Sequence, residues 1–132
     1  MNVLFLYLAT AAIFLVVDVI GLKLFIKPVF EQHVGHLFAE DFRMGAAGLF
    51  YLGYVAGIVW FVSMPAMRAE APMMALASGI ALGLLAYGTY EFTNYATLKD
   101  WTMQQVVMDT LWGGALTGFS AWGGVMLMRQ FG

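Results

Sequence analysis

Between Ala71 and Tyr90 the chain has no side chain that is charged at neutral pH. A helix of about 20 apolar residues crosses the roughly 30 Å hydrocarbon core of a bilayer. Four stretches have that length: 3–25, 45–67, 72–96 and 102–128. In lipid, every backbone N–H and C=O must be satisfied internally, which a helix achieves and an isolated strand cannot. No barrel-length segment alternates apolar and polar residues with period two. The expected fold is all-α integral membrane: one domain over 1–132, with four transmembrane helices in an antiparallel bundle.

Composition agrees. Of 132 residues, 62% are hydrophobic and 11% charged, whereas a soluble domain carries about 25% charged residues. A formal net charge of −2 with no basic patch argues against a nucleic-acid partner. The absence of cysteine excludes disulfides, thiolate metal sites and thiol nucleophiles. Met1-Asn2 supplies no basic region ahead of the first apolar run. That run, Val3 to Leu22, is long for the core of a signal peptide, so it is expected to be a retained helix.

Residues 66–71 and 97–101 are short connections, which makes their flanking helices antiparallel neighbours. The connection from Lys27 to Arg43 is longer and patterned. Phe30, Val34, Leu37, Phe38 and Phe42 recur at helical spacing, with Glu31, Gln32, His33, His36 and Glu40 on the other face. Pro28 suits a helix start. This pattern predicts an amphipathic interfacial helix over about 28–43, between helices 1 and 2. A plain polar loop is the alternative. Lys23, Lys27, Arg43 and Lys99 lie toward this connection, against Arg68 and Arg129 toward the termini. The positive-inside bias then places that side in the cytoplasm and both termini on the opposite face of the membrane.

Three acids interrupt the apolar runs. Asp18 precedes Ile26 by eight residues, Glu91 precedes Leu98 by seven, and Asp109 follows Trp101 by eight. At 1.5 Å per residue, each lies about 10–12 Å inside the same boundary. The second span brings Gly48, Tyr51 and Tyr54 to that level. A charge at mid-bilayer costs about 2.5–3.5 kcal/mol on insertion scales. The three are therefore expected to face inward, with at least one protonated at neutral pH. Tyr87, Asn94 and Tyr95 share a helix face with Glu91, as Gln105, Trp112 and Gly113 do with Asp109. Buried polar groups can simply join helices, at about 0.6–2 kcal/mol per hydrogen bond. Three carboxyls at one level, with only Lys23 near, exceed that need. The candidate ligand-binding or proton-handling residues are Asp18, Glu91, Asn94, Asp109, Tyr51, Tyr54, Tyr87, Tyr90 and Trp112.

Gly53-x-x-x-Gly57, Gly79-x-x-x-Gly83 and Gly114-x-x-x-Gly118 are small-residue packing motifs that favour a tight bundle and allow a homodimer. His33 and His36 lie one helical turn apart. A polar interfacial face explains them better than metal ligation, and no metal or cofactor is expected. No zinc-protease motif, phosphate loop or dinucleotide fingerprint is present. Ser63, Ser78 and Ser120 have no histidine near them in sequence to form a triad.

The segments "FLVVDVIGLKLFIKPVFEQHVGHL", "YLGYVAGIVWF" and "YGTYEFTNYATLKDWTMQQVVMDTLWGGALTG" resemble the bacterial membrane family of domain of unknown function 2177 over nearly the whole chain. The most specific part is Tyr87-Gly88-Thr89-Tyr90, Thr93-Asn94, Ala96-Thr97-Leu98, Trp101, Asp109 and Trp112-Gly113. Against the family pattern, Glu91 stands for a more usual Asp, Gly21 for a Trp and Thr102 for a Pro. The resemblance implies membrane class and, through gene neighbourhood, an association with lipid modification; it implies no established activity. The leading expectation is a pocket that binds, presents or helps process a lipid or other amphiphile. A small proton-coupled transporter, a membrane enzyme using a protonated carboxyl, and an accessory subunit with structural acids are the rivals.

Overall fold

Helix α1, Val3–Gly21, starts at Asn2, whose side chain accepts the Phe5 N–H at 3.0 Å. It passes through a π turn, Leu22–Ile26, into α2, Lys27–Val34, and ends in a 3₁₀ turn, Gly35–Leu37. Helix α3, Met44–Ile58, passes through a second π turn, Val59–Ser63, into α4, Met64–Arg68. A tight turn, with Glu70 at φ 54°, leads into α5, Pro72–Thr97. Helix α6, Met103–Phe131, completes the chain. The computed structural model describes all of residues 1–132, of which 87% are helical and none is in a strand.

Three helical segments are long and apolar enough to cross a membrane: Val3–Leu37, Met44–Arg68 and Pro72–Thr97. Helix α6 has the length, 29 residues or about 43 Å, but is less apolar. The reason is its position. It packs against α1 and α5, and fourteen of its residues are buried, many of them Gly, Ser or Thr. Leu116, Ala121 and Val125 of α6 meet Leu6 and Phe14 of α1 and Val55 and Ile58 of α3 in the main core.

Small residues set the closest approach. A Cβ on Gly83 would overlap the Gly113 carbonyl, and one on Gly79 would stand 2.8 Å from the Gly118 Cα. The second and third glycine motifs therefore pack against each other, as small-residue helix interfaces in membranes do. The first does not take part: Cβ atoms on Gly53 and Gly57 would meet nothing within 4 Å.

The predicted interfacial helix over 28–43 requires correction. Its helical part is not separate but continues the first helix to Leu37, and residues 38–43 are irregular. Pro28 does not break the helix because a π turn precedes it, with the Lys27 N–H reaching back to the Leu22 carbonyl. Proline lacks a donor and presses on the carbonyl four residues earlier, and a widened turn relieves both problems. The same device recurs in the second segment, where the Met64 N–H reaches Val59 just before Pro65.

Candidate functional site

One large cavity, about 760 Å³, lies among α1, α2, α3, α5 and α6, with fifteen of its eighteen lining residues hydrophobic. From the first helix come Asp18, Leu22, Ile26 and Phe30, each four residues after the last. In a regular α-helix that spacing drifts by about 40° per step. The π turn holds about one residue more per turn and removes much of the drift, so the four reach one cavity. Leu37, Phe38 and Phe42 close the side toward the irregular segment. The apolar stripe of the connection thus faces protein as well as lipid.

Seven of the nine candidate residues line this cavity: Asp18, Tyr51, Tyr54, Tyr87, Tyr90, Asp109 and Trp112. Asp18 is 3% exposed, and its Oδ1 accepts the Trp112 indole N–H at 3.4 Å. Tyr51 lines the same cavity as Asp18, with its ring packed against Phe14 at 5.7 Å. The Tyr54 hydroxyl pairs with Thr117 Oγ1 at 2.8 Å, and its ring meets Tyr87 edge-on at 6.2 Å. Trp112 takes its place because position 21 is glycine: any Cβ there would run into the indole. An indole on α6 thus occupies the space beside Asp18 that a side chain at position 21 would fill.

Glu91 and Asn94 do not line the cavity, contrary to the sequence expectation, and neither does Gly48, which is exposed. Asn94 is half-buried near the end of α5. Glu91 is fully buried behind Asp109, with Oε1 accepting the Trp101 indole N–H at 2.9 Å. Asp109 is the acidic neighbour of Glu91, and Glu91 Oε2 is buried without a hydrogen-bond partner. Ionised carboxylates only accept, so a hydrogen bond between these two requires that one carry a proton.

Trp101 and the phenylalanines of the connection are the residues that sequence reasoning left out of the site. The Trp101 ring packs edge-on against Phe30 at 5.3 Å and Tyr90 at 5.7 Å, joining the cavity wall to Glu91. Two histidines fasten the same wall from outside. His33 Nε2 pairs with Gln104 Oε1 and His36 Nε2 with Asp100 Oδ2, both at 2.8 Å. Their different partners make them separate ties to the start of α6. Thr102 caps that helix reciprocally: its hydroxyl accepts the Gln105 N–H, and its own N–H donates to Gln105 Oε1. A proline at 102 could not supply the second bond.

A family model described as "Predicted membrane protein (DUF2177)" matches residues 3–126. The chain belongs to this family. No curated protein and no solved structure matches it. For a DUF2177 chain, then, the arrangement of acids, aromatic rings and cavity has to be read on its own chemistry.

Proposed function

We propose that this protein is a four-helix antiparallel membrane bundle that binds, presents or helps process a lipid or other amphiphile in its intramembrane cavity. In this reading α6 is the fourth span, the segment from Lys27 to Phe42 lies at the membrane interface, and both termini face the periplasm. One observation carries it: the 760 Å³ cavity has an apolar wall but two carboxyl groups, Asp18 and Asp109, among its lining. A cavity in the typical ligand range with few polar groups suits a molecule that is apolar over most of its length. Leu37, Phe42 and Phe50 line it and are also 57%, 52% and 67% exposed, which suits entry sideways from lipid. The open Gly53–Gly57 face leaves room for a second copy.

The test is a whole-cell lipid profile by mass spectrometry. It compares a gene deletion, the complemented strain and complementation with Asp109→Asn, at matched membrane abundance. Loss or accumulation of a discrete lipid, with Asp109→Asn behaving like the deletion, is the expected result. Identical profiles in all three strains would count against lipid processing. The Glu91–Asp109 pair favours a second reading, proton-coupled transport, which predicts proton flux in liposomes that Glu91→Gln abolishes.

A further inference from the structure

We infer that the polar group received by the cavity is an ammonium group, so that its occupant is an amine-headed or quaternary-ammonium amphiphile. This rests on the amphiphile reading above and adds the charge of the head group.

The first argument is an imbalance of charge. Asp18, Glu91 and Asp109 are buried, at 3%, 0% and 7% exposure. All six Lys and Arg side chains are exposed. Lys27 alone reaches the cavity wall, and its ammonium already has Glu31 Oε1 at 3.7 Å and the Phe42 ring at 5.7 Å. A buried carboxylate needs a cation, good donors or a proton. Glu91 has the Trp101 indole N–H as a donor at 2.9 Å. Asp18 has only the 3.4 Å contact with the Trp112 indole. The one cation on the cavity wall is therefore already paired with Glu31, and no other faces Asp18 and Asp109.

The second argument is independent of the acids. Tyr51, Tyr54, Tyr87 and Trp112 line the same cavity. The Tyr54 hydroxyl is occupied by Thr117 and the Trp112 N–H by Asp18, so these two side chains offer chiefly aromatic surface. Aromatic faces attract ammonium groups, most strongly where water is excluded. An anionic head group would meet two carboxyl groups, Asp18 and Asp109, against one cation, Lys27, that already has Glu31 beside it. A hydroxyl head group would leave the charge imbalance unmet.

The experiment uses the purified full chain in a non-ionic maltoside detergent. Tryptophan fluorescence is titrated with three probes of one chain length: dodecyltrimethylammonium, dodecanol and laurate. The expected result is saturable binding of the ammonium probe at least about tenfold tighter than dodecanol, with laurate weakest. Asp18→Asn and Asp109→Asn should each reduce that preference several-fold, through weaker binding of the ammonium probe. The wild-type series decides the matter even if a variant fails to fold. Equal affinity for all three probes, or tightest binding of laurate, would overturn the ammonium assignment and leave the amphiphile reading standing. Absence of saturable binding by any probe would overturn both. A second arm separates the sources of the ammonium group. Native mass spectrometry from nanodiscs compares phosphatidylethanolamine with phosphatidylglycerol. Selective retention of phosphatidylethanolamine identifies a membrane aminolipid, whereas retention of neither, with the ammonium probe still bound, identifies a single-chain amphiphile.

Discussion

The indole N–H of Trp101 donates to Glu91 Oε1 at 2.9 Å, across the turn that joins α5 to α6. Both residues are buried, and the Trp101 ring also packs on Phe30 of the first helical segment. One side chain thus ties a buried carboxyl to the wall of the cavity. Trp101→Phe keeps an aromatic ring against Phe30 but removes the donor. Leaving the acceptor unpaired should cost about 1–3 kcal/mol. Thermal unfolding in detergent should show the loss, and Glu91→Gln in the same background should not add its full separate effect, because the two changes break one bond.

The carboxyl pair makes a spectroscopic prediction. If Glu91 and Asp109 share a proton, wild-type protein at neutral pH has an infrared band from a protonated carboxyl group. That band should disappear in the Glu91→Gln, Asp109→Asn double variant. Asp18→Asn should leave it in place. A wild-type spectrum without a protonated carboxyl at pH 6 would mean that all three acids are ionised and that the pair is not hydrogen-bonded.

The glycine motifs divide into used and unused. Gly83→Ala places a methyl group against the Gly113 carbonyl, and overpacking of this kind costs about 1–3 kcal/mol. Gly57→Ala meets nothing within 4 Å and should change stability by no more than about 0.5 kcal/mol. Unfolding temperatures of the two variants, measured side by side, check the contrast. An equal effect at both positions would show that Gly57 packs against a second copy.

How much of this was legible in the sequence differs from element to element. Periodicity and run length located the helices, because the hydrocarbon thickness fixes their length whatever they pack against. Counting from one boundary brought Asp18 and Asp109 to one cavity with Tyr51 and Tyr54, because helical rise is regular. The partner of the 28–43 stripe was not legible. Phe30 and Phe38 make an apolar face whether it meets lipid or Trp101, and a one-dimensional pattern does not distinguish the two. Nor could spacing show that Glu91 points behind Asp109 rather than into the cavity, since that depends on how α5 rotates about the Gly79 and Gly83 contact.

The histidine ties should govern access more than stability. Exposed polar contacts such as His36–Asp100 contribute about 0–1 kcal/mol. A His33→Ala, His36→Ala double variant should therefore unfold near the wild-type temperature. The chain contains no cysteine, so a single cysteine at Phe38 reports on the cavity wall without background. Its labelling by a maleimide should be several-fold faster in the double variant. Unchanged labelling would show that Phe30 and Val34 hold the wall unaided.

The π turn at Leu22–Ile26 also bears on which lengths of chain this fold accepts. A single-residue deletion inside a membrane helix normally turns everything beyond it by about 100° and exchanges its buried and lipid-facing sides. Here one residue is already surplus to a regular helix. Removing Leu24, which is 63% exposed, would let the turn close to α geometry while Asp18 and Phe30 still faced the same way. Such a deletion would keep the cavity residues in direction but return Pro28 to a regular helix, at a cost of about 3 kcal/mol, so the extra residue is what lets proline and cavity coexist in one helix.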